Sequence, residues 1–533
     1  MKHALLLTLL AACAAASADT APQFDPHRLS QHVKVVSSDE FEGRGPNTLG
    51  EAKTVAYLIE QFKAAGLKPG GALVKGARGW TQDVPLGRFE IKGPVTLTLN
   101  EGKTSQPFAQ GEQMAVRAAM NGARRVDFDA APLVFVGYGV EAPERRWDDF
   151  KGVDLKGKLA VVLINDPDFE TGEGDFGGKA MTYYGRWSYK FEEIARRGAL
   201  GTIIVHETAP ASYGWPTVKN SNTNVQYDIV RQQPGKAHAP MEAWIQRDVA
   251  ADMFKRAGLD FEAAKKSAQR RDFKPVALAG LTLSAHYAVD VQVIKSKNVA
   301  ARIDGSERPK QTVLYTAHWD HLGIGAPDAK GDTIYNGAVD NGTGIAALLE
   351  LARAYGSQPA PKRSVVFLAV TAEEKGLLGS EYYAANPLYP LADTAGVINM
   401  DALNPRGPAR TFTISGNAKL DLLDQLVAKG RQFNLAYVPD PKPEAGYFFR
   451  SDHFSFAKRG VPAISFGSGQ DWEEGGTAAG SAAEKAYTTN HYHQPSDEWS
   501  AQWQFTGMAR DLGLLYAVGR DLADSNAWPN WST

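Results

Sequence analysis

Four segments of this chain, "QTVLYTA" at 311–317, "RSVVFLAV" at 363–370, "AGVINM" at 395–400 and "VPAISFG" at 461–467, consist mostly of apolar residues and do not alternate regularly with polar ones. A strand with one wet face alternates polar and apolar side chains, so continuous apolar runs of this length mark strands covered on both faces. Periodic stretches lie between most of them. In "NGTGIAALLELARAYG", Ile345, Leu348, Leu349 and Ala352 recur at the spacing of one helix face. Apolar strands alternating with such helices predict an α/β fold with a mostly parallel, mixed sheet and helices on both faces.

The earlier chain has a different texture. From 25 to 71 there is one convincing amphipathic helix, with Ala56, Ile59, Phe62 and Leu67 near helical spacing and Glu51 at its positive end. Between 94 and 286, short β-type runs such as "PVTLTLN" and "KLAVVLIND" are broken by loops rich in Gly, Pro and Asp, with one helix-like stretch in "YKFEEIARRGALGTIIVHE". This predicts three parts: 24–93, an inserted β-rich α+β segment at 94–286, and a main domain at 287–530. "MKHALLLTLLAACAAASADTAP" has the charge, short apolar core and small residues of an export signal. Two processing outcomes fit it: cleavage after Ala18, or a lipoprotein signal of residues 1–12 that leaves Cys13 as a lipid anchor. Either directs the protein out of a bacterial cytoplasm, to the periplasm, the medium or the outer membrane. No later segment reaches the roughly 18 apolar residues of a membrane span. Lys plus Arg (58) nearly balances Asp plus Glu (60) without long runs of one sign, so a nucleic-acid partner is not expected.

In open α/β sheets, sites gather beyond the carboxyl ends of the strands. Here those ends carry His318 and Asp320, Glu373 and Glu374, and Asp401; Asp340 precedes a helix, and "NHYHQPSDEW" adds His491 and His493. Each alone reads more readily as a cap, a dipole partner or a structural residue than as a ligand. Together, carboxylates and imidazoles crowded on one rim need a cation, and a donor set without thiolate suits zinc or a similar divalent ion. No HExxH and no phosphate-binding loop occur.

In order along the chain, "TAHWDHLG", "NGAVDNGTGIAALLELAR", "AVTAEEKGLLGSEYY", "INMDAL", "FRSDHFSFAKRGVPAI" and "YHQPSDE" resemble the co-catalytic zinc exopeptidases of the aminopeptidase and glutamate carboxypeptidase family. The resemblance extends over about 311–499, and 94–286 is similar to the protease-associated insertion of that family. It implies a two-zinc site in which Asp340 bridges both ions, His318 and Asp401 complete one and Glu374 and His493 the other. It implies Glu373 as general base, Asp320 as the carboxylate orienting His318, and a cis bond between Asp340 and Asn341. His493 matches the ligand position better than His491. Tyr447 is a candidate for oxyanion stabilisation or a pocket wall; Arg450, Asp452 and His453 are candidates for substrate contact or a structural network; His321 reads as structural. The implied activity is removal of N-terminal residues from peptides. A carboxypeptidase for acidic C-termini, a single-zinc glutaminyl cyclase and a non-catalytic receptor-like protein are the alternatives. The segment "GSGQDWEEGGTAAGSAAEKAY" reads as a loop shaping the pocket. Residue preference and oligomeric state are not legible.

Overall fold

The apolar runs form the centre of one large mixed sheet. In this computed structural model, which describes residues 22–532, strand Arg308–His318 pairs in parallel with Arg363–Val370 on one side and Thr394–Met400 on the other. Thr394–Met400 continues in parallel to Ala463–Ser468. Antiparallel strands flank this group: Val276–Ile303 beside Arg363–Val370, and Thr411–Ile414 beside Ala463–Ser468. Every residue of Arg363–Val370 and Thr394–Met400 is buried, the reason neither strand alternates. One face is covered by helices Pro26–Val36, Leu49–Ala64, Gly344–Gly356 and Thr506–Asp524, which share a core containing Leu29, Leu58, Leu348 and Leu515. On the other face Tyr383, Tyr389 and Phe456 pack over Leu314, Val366 and Val397. The α/β class read from the sequence is therefore observed. The export signal and Cys13 lie outside the described residues. Among the described residues, no helix is long and apolar enough to cross a membrane.

A long two-stranded ribbon leads away from this sheet. Thr81–Glu101 and Val276–Ile303 pair antiparallel from Thr81 opposite Val299 to Glu101 opposite Leu281. The expected divisions at 93/94 and 286/287 fall inside these strands, so the chain enters and leaves the inserted segment on continuous β-structure rather than through linkers. The pairing shifts register there, between His286 and Ala288. The ribbon ends in a second core, built on Leu133, Val161, Ile203 and Ile245. Arg125–Phe135, Leu159–Leu163, Gly201–His206 and Met241–Gln246 run parallel in it. Helix Trp187–Arg196 lies between the second and third of these strands in the chain, as a parallel connection requires.

Two local readings are corrected. The 470s segment is not a loop: Gly476–Asn490 is a helix, consistent with the high helix propensity of its alanines. In helix Leu49–Ala64 the buried face is Glu51, Thr54, Val55, Leu58 and Phe62, and Ala56 is exposed. Glu51 does more than meet the helix dipole. Its carboxylate accepts from the Asn47 N–H and from Ser296 Oγ (2.9 Å), tying the helix start to the ribbon.

Candidate functional site

Three parallel strands end at the same rim. Because Arg308–His318 is followed in sequence by a neighbour on one side and then by one on the other, its carboxyl end is a point where strand order reverses and loops diverge, leaving a crevice. His318 is the last residue of the central strand, Glu373 and Glu374 follow the second, and Asp401 follows the third. Asp340 reaches the crevice from the turn before helix Gly344–Gly356, and its bond to Asn341 is cis. The Asn341 side chain holds the rim together. Its Nδ2 donates to the carbonyls of His318 (3.3 Å) and Met400 (3.1 Å), while its Oδ1 accepts from the N–H groups of Gly344 (2.9 Å) and Ala402 (3.0 Å). Gly344 must be glycine for this: a Cβ there would lie 2.3 Å from Asn341 Oδ1 and 2.5 Å from the Met400 carbonyl oxygen.

The adjacent glutamates diverge because they sit in a 3-10 turn, Glu373–Lys375, entered through Ala372 in the left-handed region at φ +52°. That conformation costs an alanine roughly 1–2 kcal/mol, and it turns the chain at the strand end. Glu373 then faces His318, with Oε2 4.0 Å from Nε2, and Glu374 faces His493, with Oε2 2.9 Å from Nε2.

The resulting cluster is paired in a definite way. His318 Nε2 lies 3.2 Å from Asp401 Oδ1 and 3.3 Å from Asp340 Oδ1. His493 Nε2 lies 3.3 Å from Asp340 Oδ2 and 2.9 Å from Glu374 Oε2. Asp340 thus turns one oxygen to each histidine. Zinc bonds of 2.0–2.2 Å at tetrahedral angles put neighbouring donors about 3.4 Å apart, so the spacing fits a cation held by each group. The charges point the same way. Burial works against ionising His318, but Glu373 and Asp401 outweigh it and raise its pKa well above the usual range; His493, beside Glu374 and Asp340, is raised to about 9 against the same penalty. Burial, reinforced by Asp401 and Glu374, holds Glu373 well above the ordinary carboxylate range despite His318. Four carboxylates face two imidazoles, and the surplus is negative.

Side chains behind the cluster fix its members. Asp320 accepts the N–H of Glu373 (3.0 Å) and of Glu374 (3.4 Å), and its Oδ1 stands 3.7 Å from His318 Nδ1. It therefore positions the glutamate turn by hydrogen bonds, whereas the His318 ring nitrogen is nearer the Asp320 carbonyl oxygen, at 3.2 Å. Asp497, in "QPSDE", accepts the N–H groups of Val339 and Asp340 at 3.1 Å each. Ser451 donates to Asp401 Oδ2 at 2.6 Å. His321, read as structural from the sequence, bonds Glu374 Oε1 through Nδ1 at 2.5 Å. His491 instead bonds the Ser496 carbonyl and stays outside the cluster. Asp452 and His453 are fully buried, while Arg450 and Tyr447 line the cavity.

The inserted segment also reaches the centre. Ser221, in helix Trp215–Thr223, meets His493 Nδ1 at 2.7 Å, and Asn220 donates to the His493 carbonyl at 2.9 Å. Lys375, buried and lowered to about 7 by that burial, donates to the Ser221 carbonyl (2.9 Å) and Asn224 Oδ1 (2.6 Å). No local pattern flags these residues, which lie 151 or more positions from their partners. The cluster opens into a cavity of about 890 Å³ walled by both parts of the chain.

Residues 298–516, which carry every member of this cluster, match the profile of Peptidase family M28. This region is similar to that family. Beyond the M28 region the likeness extends to solved structures. An aminopeptidase from Aneurinibacillus sp. strain AM-1 aligns over 95% of this chain and 96% of its own, with a TM-score of 0.57 at 19% identity, so the fold is shared through the inserted segment too. The "Probable lipoprotein aminopeptidase LpqL" of Mycobacterium tuberculosis is 29% identical over 256 residues, 45% of this chain and 48% of that one. A "Vacuolar membrane protease" of Clavispora lusitaniae is 26% identical over 207 residues, 39% of this chain and 18% of that one. This chain thus spans less than half the length of either relative.

Proposed function

We propose that the protein is an exported zinc-dependent aminopeptidase in which His318 and Asp401 hold one ion, Glu374 and His493 hold a second, and Asp340 spans the two. One observation carries the reading: the two oxygens of Asp340 face different histidines, each histidine with a further carboxylate of its own. A single-ion site has no use for the second group. Zinc ions bound there would supply Lewis acidity, polarising the scissile carbonyl and acidifying a water. The chain supplies the rest. Glu373, close to the cluster but more distant from His318 than Asp340 or Asp401 are, takes the proton of the attacking water on its carboxylate and returns it to the leaving amine. Asp320 and Asp497 hold the backbone that aims Glu373, Glu374 and Asp340. Tyr447, on the cavity wall beneath the Arg450 guanidinium at 4.9 Å, is the candidate donor to the developing oxyanion. Residues 94–286 are read as the protease-associated insertion, and the residue 1–18 signal supports export.

The test combines metal counting with paired substrates. Two zinc ions per chain are expected by elemental analysis, falling below one in Asp340→Ala. Aminoacyl p-nitroanilides are expected to be cleaved, and an N-blocked dipeptide with a free C-terminus is not. Cleavage of the blocked dipeptide alone would make the protein a carboxypeptidase, and one tightly held zinc without peptidase activity would favour the cyclase.

Ser221 gives a separate expectation. A hydroxyl on the outer nitrogen of a ligating histidine fixes ring orientation, and loss of such partners costs about 10- to 100-fold in metal affinity. Ser221→Ala is expected to weaken zinc binding by at least tenfold in chelator competition, with secondary structure unchanged by circular dichroism; equal affinity removes the inserted segment from this role.

A further inference from the structure

The helix that reaches the metal cluster from the inserted segment is held at its last turn by side chains that the proposed hydrolysis does not use. Helix Trp215–Thr223 presents three residues to the chain around His493. Thr217 Oγ1 donates to the Tyr492 carbonyl (3.3 Å), Asn220 donates to the His493 carbonyl (2.9 Å), and Ser221 Oγ meets His493 Nδ1 (2.7 Å). An α-helix leaves its final carbonyls without partners of its own. Here the chain is extended at Asn224 (φ −87°, ψ −173°), and side chains supply the donors. Gln226 Nε2 lies 3.1 Å from the Ser221 carbonyl oxygen, 3.3 Å from that of Asn222 and 3.0 Å from that of Asn224. Lys375 covers the Ser221 carbonyl from the peptidase side at 2.9 Å.

The Gln226 amide has a fixed direction. Its Oε1 accepts from Arg117 Nε (3.3 Å) and Nη2 (3.2 Å). A guanidinium only donates, so the amide oxygen is held toward Arg117 and the amide nitrogen toward the helix. Arg117 is fixed in turn. Its Nη1 donates to Glu242 Oε2 (2.8 Å), and the guanidinium lies 5.1 Å from the Trp187 ring and 5.2 Å from the Phe191 ring. Glu242 belongs to strand Met241–Gln246 of the second core, and its other oxygen meets His238 Nδ1 at 2.9 Å. Gln226 itself pairs with Phe89 of the ribbon. Gln226 and Arg117 are 1% and 4% exposed, so solvent does not compete for these contacts. The last turn of the helix is thereby tied to the ribbon and to the second core at once.

We infer that Gln226, held by Arg117, is a positioning residue for His493: it fixes the end of helix Trp215–Thr223 and so sets Ser221 against the His493 ring. This rests on the two-zinc reading and deepens it, because it names what orients one ligand from the inserted segment. Coupling of this kind is reciprocal. An ion on His493 tightens the docking of the helix by the same factor as the docked helix tightens the ion.

The test reads zinc affinity by chelator competition on the full chain. Ser221→Ala identifies the zinc step that depends on His493; if it changes neither step, Ser221 sets nothing and the inference falls with it. Loss of the outer partner of a ligating histidine costs about 10- to 100-fold in affinity, so Gln226→Met, acting through that partner, is expected to weaken the same step by about threefold or more. A smaller effect overturns the inference. Gln226→Glu keeps an oxygen for Arg117 but removes the donors to the helix carbonyls, and is expected to weaken that step as Gln226→Met does. Wild-type affinity in Gln226→Glu would overturn the assignment. Adding Gln226→Met to Ser221→Ala is expected to cost less than about threefold more, since both act on one contact. A larger further loss shows that Gln226 acts by another route and overturns it. If the wild type binds fewer than two zinc ions, the two-zinc reading fails on its own. Amide hydrogen exchange in residues 215–224 and 489–495 then decides the positioning role. Faster exchange of both segments in Gln226→Met supports it, and unchanged exchange in either overturns it.

Discussion

Glu373→Gln is expected to lower kcat by roughly 10²- to 10⁴-fold, the range that a positioned general base contributes, while zinc content stays at the wild-type level. The amide preserves size and most contacts but cannot accept a proton from water at neutral pH. Retention of metal follows from distance. Glu373 Oε2 is 4.0 Å from His318 Nε2, whereas Asp401 and Asp340 oxygens are at 3.2 and 3.3 Å, so removing the Glu373 charge leaves the nearer donors in place. A different grouping of the same atoms, His318 with Glu373 and Asp401, could also enclose an ion. The variant separates the two: parallel loss of zinc and activity would make Glu373 a ligand, and near-normal activity would remove it from the reaction altogether.

Arg44→Leu is expected to destabilise the protein by about 3–5 kcal/mol, the usual effect of removing one member of a buried charged network. Arg44 is wholly buried and donates to the carbonyls of Trp319 (2.8 Å), Val36 (2.8 Å), Asn336 (2.6 Å) and Gly337 (2.8 Å). Three of those carbonyls belong to the loops that carry Asp320 and Asp340, and the fourth, that of Val36, ends helix Pro26–Val36. Burial lowers its pKa to about 10, and the nearby Asp320, Asp497, Asp340 and Glu374 counter that shift, so the arginine also offsets part of the negative charge around the cluster. Leucine fills some of the volume but takes the donor away from the Trp319, Val36 and Asn336 carbonyls, while the Gly337 carbonyl keeps the Gly342 N–H (3.1 Å). The guanidinium-induced unfolding midpoint measures the loss, and Arg44→Lys, a point charge without the planar fork, is expected to restore only part of it. A midpoint equal to the wild type would show that the loops hold their shape without Arg44.

How much of this could be read from the chain depends on the distance over which each feature is encoded. "RSVVFLAV" and "AGVINM" announce buried strands because burial on both faces leaves its mark on every residue of a run. Their ends are then visible as the first polar residues, and Glu373, Glu374 and Asp401 are found that way. The geometry by which the two glutamates diverge is not legible: it depends on a 3-10 turn and a left-handed alanine that no propensity favours. His321 illustrates a second limit. Its neighbour His318 is marked by a strand end, but only the packing of the rim brings Glu374 within 2.5 Å of the His321 ring. Helix Gly476–Asn490 was hidden by the Gly-rich stretch before it, although its alanines favour a helix.

By itself, then, the sequence determined the α/β class and the residues delivered to the rim, because side-chain periodicity records which way each residue faces relative to its own element. Tertiary structure alone decided which oxygen of Asp340 meets which histidine, and that Ser221 would stand 2.7 Å from His493 across 272 positions of chain. These are relations between elements of two separate cores joined by a long ribbon, and periodicity within an element carries no information about the packing that sets such distances.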